Sequence, residues 1–168
     1  MLNSNDVFDS VRRGYNELEH TSNADILNYF DDVDTDSMPG HVSHIKGILF
    51  EQQYVEHLAT QGIDAEIFAA TNHPVTDISI IEDGEVMNEL QLKATDSVSY
   101  INATLDAHPD VAIVTTTEVA TSFDNPMVID SGIEDAVLES TVLETLTDDL
   151  VNPVSPLSVI SWMFGLPF

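Results

Sequence analysis

The chain has 168 residues, a length that suffices for one globular domain with a hydrophobic core. Hydrophobic residues make up 43% of it, which excludes a wholly disordered chain. Thirty Asp and Glu residues against four Lys and Arg residues give a formal net charge of -26, which excludes a protein that binds nucleic acid over a broad basic face.

The chain contains no cysteine, so disulfides and thiolate metal sites are excluded. Its first ten residues are polar and acidic, unlike a secretory signal, and we expect a cytoplasmic protein. No run reaches the ~20 apolar residues that span a bilayer, so no membrane span is predicted. The apolar tail 157–168 is predicted to pack on the domain or on a partner protein, or to begin an apolar segment of a longer protein.

The N-terminal forty residues are predicted to be helical and then acidic. Apolar residues recur at three- and four-residue steps over 6–30, with one polar break, which predicts helix. Residues 31–40 form a loop by composition, in which Asp32, Asp34 and Asp36 imitate the start of a calcium-binding loop. The sixth and twelfth positions of that loop are serines rather than Gly and Glu, so an acidic, solvated turn is the favoured interpretation.

A helix and a hairpin follow. Residues 41–61 have an apolar face, and Gly62 stands where a C-terminal glycine cap belongs, which predicts a helix that ends there. Alternating and apolar runs then predict strands, of which the last two are joined by a hairpin turn of the Asp-Gly type. The predicted strands are 63–70, 77–81 and 86–94, with the turn EDGE at 82–85.

The C-terminal half continues with alternating elements. Helix 96–107, capped by Asp96 or Ser97, precedes the apolar run 111–116, which is typical of a buried parallel strand. Residues 131–150 are predicted to be helical again. This order predicts an α/β fold with a mixed β-sheet flanked by helices. The predicted domain boundaries give an N-terminal helical and acidic segment 1–40, an α/β core 41–150 and an apolar tail 151–168.

Three polar residues of the predicted hairpin are expected to lie together. Gln91 and Lys93 are two positions apart on the third strand, so they project from one face, as does Glu89. The turn lies near residues 83–84, and the midpoint between Asp77 and Gln91 is residue 84. Asp77 and Gln91 are therefore close to cross-strand partners.

Such a group suits phosphodiester hydrolysis. A carboxylate and a second oxygen ligand hold a hard cation such as magnesium, which polarises a phosphoryl oxygen and lowers the pKa of bound water. A neighbouring lysine orients or deprotonates that water and stabilises developing negative charge. Lys93 is one of two lysines in the chain. The alternative interpretation is a salt bridge between Lys93 and either Glu89 or Asp77.

The pattern of Asp77, a hairpin and Gln91-Leu92-Lys93 resembles the D…(D/E/Q)-x-K signature of the PD-(D/E)XK nuclease superfamily. Its glutamine variant is similar to that of Mrr-like restriction enzymes. The predicted helix before the hairpin resembles the superfamily's leading helix, with Gly47 and Glu51 at its glycine and glutamate positions. The likeness covers about half of the chain and implies a restriction-endonuclease-like, nuclease-like α/β core.

The resemblance also implies roles for these residues. Asp77 is the expected main metal ligand, Gln91 the second ligand, and Glu51 an auxiliary ligand or water-positioning carboxylate. Lys93, Gln91 and Glu51 form the expected catalytic set, and Mg²⁺ or Mn²⁺ is the expected cofactor. Glu89 stands at the edge of the site, where its charge compensates for the neutral glutamine. The chain departs from the family pattern in lacking a proline directly before Asp77 and the usual cations along a phosphate path.

Histidines raise the question of a zinc site. His41, His44, His57, His73 and His108 include no tight pair with a third ligand, so we interpret them as solvated or capping residues. His73, close to Asp77 in sequence, is retained as a candidate residue at the edge of the site.

We therefore expect a metal-dependent endonuclease acting on nucleic acid, with DNA as the favoured substrate. Family habit implies that such a domain serves as a toxin or defence module of a larger protein. The alternative is a non-catalytic interaction module of the same fold, whose acidic surface docks a basic partner or mimics nucleic acid. A third interpretation is an acidic, cation-binding domain. Metal-dependent cleavage distinguishes the first of these from the other two.

Overall fold

The protein, described by a computed structural model over residues 2–69 and 74–147, alternates helices with short strands. The predicted tail 151–168 and His73 lie outside the described residues. In the part of the chain that is described, no helix combines the length and apolar character needed to cross a membrane. The helices are α1 (Ser4–Gly14), a 3-10 helix (Asn16–Leu18), α2 (Asn23–Asp31), α3 (Met38–Thr60), α4 (Val98–Ala107), α5 (Thr117–Ala120) and α6 (Asp135–Leu146). The strands are β1 (Asp64–Ile67), β2 (Ile78–Glu82), β3 (Glu85–Lys93), β4 (Ile113–Thr115) and β5 (Val128–Asp130).

The described residues divide into two units: residues 2–46 with 136–147, and the described part of Gly47–Asp135. The first unit is helical. The helix α1 begins at a reciprocal capping box, in which the Asn3 side chain accepts a backbone hydrogen bond and the Asp6 carboxylate accepts one from the Asn3 N–H. Apolar side chains at helical spacing form its core, including Val7, Val11, Ile26, Phe30, Ile45 and Leu138, all fully buried.

The predicted helical stretch 6–30 is divided by a 3-10 helix and a polar turn. The division follows from Tyr15, whose extended backbone ends α1. Its ring lies edge-on to that of Phe30 with centroids 5.7 Å apart, and its hydroxyl is 2.6 Å from His41 Nδ1. Burial raises the pKa of Tyr15 far above its usual range. His41 is therefore a hydrogen-bonding partner within this helical unit.

The helix α3 confirms the predicted helix 41–61 and starts three residues earlier. Pro39 falls in its first turn, where the missing N–H has no helical partner to lose. The predicted glycine cap is confirmed, because Gly62 is left-handed at φ 77°. The Ile63 N–H donates to Leu58 O at 3.0 Å, and the Gly62 N–H donates to the Ala59 carbonyl at 3.0 Å. These two bonds satisfy carbonyls at the end of the helix.

The second unit is built on a mixed five-stranded sheet with strand order β1-β2-β3-β4-β5. The first three strands are antiparallel, while β3, β4 and β5 are mutually parallel. The helix α4 is the crossover between parallel β3 and β4, as such a connection requires. Ser97 caps it by accepting the Tyr100 N–H, which decides between the two predicted caps. The predicted α/β class with a mixed sheet flanked by helices is thus confirmed.

The hairpin between β2 and β3 has the predicted two-residue turn. Asp83 and Gly84 both have positive φ angles, 52° and 81°, as a type I′ turn requires. The pairing shifts between Ile80 and Ile81, and this leaves Met87 without a partner in β2. The regular alternation predicted along 86–94 is therefore interrupted at a bulge.

The core of this unit lies where α4 and α5 cover the parallel strands. Ile101, Ile113 and Val119 are buried together, one each from α4, β4 and α5. The strands β4 and β5 and the helix α5 are only three or four residues long. Elements of that length carry no periodicity, so α5 and β5 were not predicted from the sequence.

Two glycine substitutions should shift stability in opposite directions. Gly84→Ala should lower the free energy of unfolding by about 1–2 kcal/mol, because its φ of 81° strains an L-residue. Gly47→Ala should raise it by about 0.5–1 kcal/mol, because a Cβ in the helix α3 meets nothing within 4 Å and alanine favours helix. Urea unfolding of both variants measures the two shifts. A Gly84→Ala variant as stable as the wild type would contradict the turn geometry, and a destabilised Gly47→Ala variant would contradict the open space at that position of α3.

Candidate active site

The hairpin brings Asp77 to the end of β3 that carries Gln91, close to the position that the sequence arithmetic predicts. Ile78 pairs with Leu90 and Ser79 pairs with Glu89 in the antiparallel ladder. One step beyond Ile78, at the open end of the hairpin, Asp77 hydrogen-bonds to Leu90 and Leu92, the two residues that flank Gln91. The two-residue turn alone would pair Ile78 with Glu89, and the bulge at Met87 moves this pairing by one residue to Leu90.

Asp77 is held at this position by backbone hydrogen bonds. Its N–H donates to the Leu90 carbonyl at 2.9 Å, and its own carbonyl accepts the Phe68 N–H at 3.1 Å. Its carboxylate oxygen Oδ2 accepts the Leu92 N–H at 2.7 Å. The short distance is typical of a bond to a charged acceptor. The carboxylate is therefore oriented by β3 itself.

Gln91 has a buried acceptor without a donor. The residue is 7% exposed, and its backbone N–H donates to the Ala112 carbonyl at 3.0 Å. Its side-chain oxygen Oε1 is buried and accepts no hydrogen bond within the described residues. Leaving such an oxygen unsatisfied costs about 1–3 kcal/mol. Amide oxygens are also ligands for hard cations, so this atom suits a bound metal ion.

Lys93 ends β3 and forms no ion pair with another described residue. It is half-buried, and its Nζ lies 5.9 Å from the centroid of the Tyr100 ring. No salt bridge within the described residues includes Lys93. The alternative interpretation, a salt bridge to Glu89 or Asp77, is therefore wrong for this structure. The ammonium group stays available to an anionic ligand.

Two further predicted site residues, Glu89 and Glu51, lie on β3 and α3. Glu89 is exposed, and its Oε2 accepts a hydrogen bond from Thr76 Oγ1 at 2.9 Å. Glu51 is half-buried on α3, one turn after Gly47. Its proximity to the hairpin residues stays a prediction from the resemblance.

The oxygen ligands at this site form a small set. Within the described residues there is no group of three or more His, Asp or Glu side chains arranged to hold a metal ion. Asp77 nevertheless hydrogen-bonds to both chain neighbours of Gln91, and magnesium is commonly held by one or two carboxylates and several waters. The donors therefore fit a hydrated Mg²⁺ or Mn²⁺ better than an ion that needs a full protein cage.

A separate cavity lies at the opposite end of the hairpin. Its volume is about 500 Å³, and its lining includes Asp83 and Met87 at the turn. Asp77, Gln91 and Lys93 are not among the residues that line it. The candidate site thus lies at the open end of the hairpin and is distinct from this cavity.

Sequence reasoning missed three residues that support the site. Thr76 is buried and holds the Glu89 carboxylate. Thr115 pairs with Lys93 on the parallel strand, and its Oγ1 donates to the Lys93 carbonyl at 2.8 Å. Tyr100 lies beside the ammonium group of Lys93. Only the threonine run after the apolar strand β4 carries a sequence signal, since buried threonines need hydrogen-bond acceptors.

Comparison with known proteins adds no family assignment, since neither a family model, nor a curated protein, nor a solved structure matches the chain.

Proposed function

We propose that Gly47–Asp135 forms a magnesium- or manganese-dependent nuclease of the PD-(D/E)XK, restriction-endonuclease-like type, with DNA as the expected substrate. The observation that carries the proposal is the Gln91 side-chain oxygen, which is buried and accepts no hydrogen bond within the described residues. It belongs to the end of β3 that orients the Asp77 carboxylate through the Leu92 N–H and that ends at Lys93. In the proposal, these residues supply two oxygen ligands and one cation for the hydrolysis of a phosphodiester.

The order of the elements supports the same fold. The helix α3 leads into the antiparallel strands β1, β2 and β3, and then α4 crosses to the parallel strand β4. This order agrees with the core that the resemblance implies. The parallel neighbour matters physically, because β4 and β5 make β3 an internal strand and bury Gln91 on it.

In the proposed reaction, Asp77 and Gln91 would hold the metal ion through Asp77 carboxylate oxygens and Gln91 Oε1. An ion held there would supply Lewis-acid chemistry, since it would polarise a phosphoryl oxygen and lower the pKa of bound water. The Leu92 N–H orients the Asp77 carboxylate, which limits the rotation of the ligand. Glu51 is the expected auxiliary carboxylate.

Lys93 supplies the positive charge of the site. Its ammonium group donates hydrogen bonds to the attacking water or to a phosphate oxygen, and so stabilises the negative charge that develops during attack. Since no carboxylate neutralises it within the described residues, its full charge acts on the substrate. The Thr115 hydroxyl bonds the Lys93 carbonyl and fixes the strand end from which this side chain extends.

A second candidate function is a non-catalytic interaction module with an acidic surface. It is favoured by the Asp77 to Leu92 hydrogen bond, which gives the carboxylate a structural role that needs no metal. It is also favoured by the charge of -26, which opposes any polyanion. In such a module the acidic surface docks a basic partner or mimics nucleic acid.

Plasmid cleavage tests the proposal. We expect the protein to nick or linearise supercoiled DNA with Mg²⁺ or Mn²⁺ and to be inactive with EDTA. Added salt should help first by screening repulsion, since the Debye length is about 10 Å at 0.1 M and shortens as salt rises. The assay therefore spans low and high salt. No metal-dependent cleavage at either extreme would exclude the nuclease and favour the interaction module.

Metal binding can be measured without catalysis. We expect Mn²⁺ to raise the melting temperature of the wild type, because a ligand that binds only the folded state stabilises it. Asp77→Asn retains an oxygen that can accept the Leu92 N–H but loses the charge, so the Mn²⁺-dependent shift should shrink at least twofold. Glu85→Gln, which removes an exposed charge at the turn end of the same hairpin, is the matched control. An equal reduction in both variants would indicate general charge binding instead of a site.

A further inference from the structure

Tyr100 presents an aromatic ring to solvent beside the candidate catalytic lysine. The residue lies in the first turn of the helix α4 and is 48% exposed. Its ring centroid is 5.9 Å from Lys93 Nζ. An exposed aromatic face next to an unpaired ammonium group is unusual in a surface so dominated by acidic side chains, and it offers a contact that does not depend on charge.

Charge limits how this unit can hold a nucleic acid. Lys93 is the single Lys or Arg between Gly47 and Asp135, a span that contains seventeen Asp and Glu residues. The remaining cations, Arg12, Arg13 and Lys46, belong to the other unit. Proteins that bind duplex DNA obtain most of their affinity from Lys and Arg contacts to many phosphates. This unit has one such residue to offer.

We propose that the substrate of the site is a single-stranded nucleic acid, with a base stacked on Tyr100 and the adjacent phosphate held at Lys93. This inference rests on the proposed nuclease function and specifies its substrate class. Stacking on an aromatic ring binds every base through its face and requires no cation. It therefore supplies affinity where phosphate contacts are lacking.

A duplex cannot use the same contact. Its bases are already stacked on one another, so their faces are covered unless a base is flipped out at a cost of a few kcal/mol. A single strand offers its base faces freely. It also carries a lower density of phosphate charge, which reduces repulsion by the acidic surface. Both effects favour the single strand.

We assign Tyr100 as a substrate-binding residue. The alternative role is to shield the Lys93 side chain from solvent. The two roles differ in what they change. If Tyr100 stacks on a base, its loss raises KM for a single-stranded substrate. If Tyr100 only shields Lys93, its loss disturbs Lys93 and lowers kcat on every substrate alike. Tyr100→Phe keeps the stacking face and should preserve KM. Val98 lies in the same turn of α4 and is 40% exposed, so Val98→Ala is the matched control.

The test compares a fluorescein-labelled oligonucleotide of mixed sequence as a single strand and as a duplex, with Mn²⁺ and salt that screens repulsion. We expect faster cleavage of the single strand. Tyr100→Ala should raise its KM about tenfold, within the 1–3 kcal/mol per stacked base, with kcat changed less than about twofold. Tyr100→Phe and Val98→Ala should resemble the wild type. Equal cleavage of both substrates, or an unchanged KM in Tyr100→Ala, would overturn the inference.

Binding by fluorescence anisotropy, with Ca²⁺ replacing Mn²⁺, separates this inference from the proposed function. If the wild type cleaves neither substrate, the nuclease proposal fails. Preferential binding of the single strand that is lost in Tyr100→Ala would still support the stacking contact. If the wild type cleaves DNA but binds both forms equally, the nuclease proposal stands and the single-strand inference fails.

Discussion

Lys93→Met should reduce the rate of metal-dependent cleavage by at least about 100-fold, the lower end of what a positioned proton-transfer group contributes. Methionine keeps an unbranched apolar side chain of similar length at the end of β3. No carboxylate within the described residues pairs with Lys93, so its removal leaves no such partner unpaired. The loss of rate should therefore occur without a comparable loss of stability.

The controls for Lys93→Met separate chemistry from folding and from net charge. Glu85→Gln changes an exposed charge on the same strand and should retain activity. Lys93→Arg keeps the charge but has a wider, planar group, and should recover only part of the rate. The Mn²⁺-dependent rise in melting temperature should persist in Lys93→Met, because the lysine is not a ligand. Cleavage by Lys93→Met at the wild-type rate would remove Lys93 from the mechanism.

Ile113→Ala should lower the free energy of unfolding by about 2–5 kcal/mol, the range for truncating a fully buried isoleucine. Ile113 is 0% exposed and lies at the centre of the cluster that joins α4, β4 and α5. It also pairs directly with Gln91 across the parallel ladder. The truncation removes packing and leaves a cavity beneath the strand that supports the candidate site.

A graded series tests the packing argument. Ile113→Val removes one methylene group and should cost about 0.5–1.5 kcal/mol. Val137→Ala, at an apolar residue that is 42% exposed on α6, should change stability by less than about 0.5 kcal/mol. Urea unfolding followed by far-UV circular dichroism measures all three variants. A loss in Ile113→Ala no larger than in Ile113→Val would show that the cluster is loosely packed.

Part of the hairpin between β2 and β3 can be predicted from residues that are close together in the sequence. Asp83-Gly84 predicts a two-residue turn because both positions need positive φ, and that turn sets the register that pairs Glu82 with Glu85 and Ile81 with Val86. Local reasoning therefore brings Asp77 to the end of β3 that carries Gln91, to within about one residue. The bulge at Met87 was not predicted, and it shifts the register at the open end of the hairpin by one residue.

The burial of the residues around Gln91 could not be predicted from the neighbouring sequence. Gln91 was predicted to lie on one face of an alternating strand, yet Leu90, Gln91 and Leu92 are all buried. The reason is that β4 and β5 add to the sheet beyond β3 and make β3 an internal strand. The strand β5 is three residues long and carries no periodic signal of its own.

Local sequence was therefore sufficient for the mixed α/β class, the end of α3 at Gly62 and the approach of Asp77 to the end of β3 that carries Gln91, since each depends on residues close together in the chain. Tertiary structure alone decided that, among the described residues, Gln91 Oε1 is buried without a donor and Lys93 lies beside Tyr100 without an ion pair. Burial and ion pairing depend on which distant segments pack together. That packing is set by the free energy of the whole core, and no short pattern of residues encodes it.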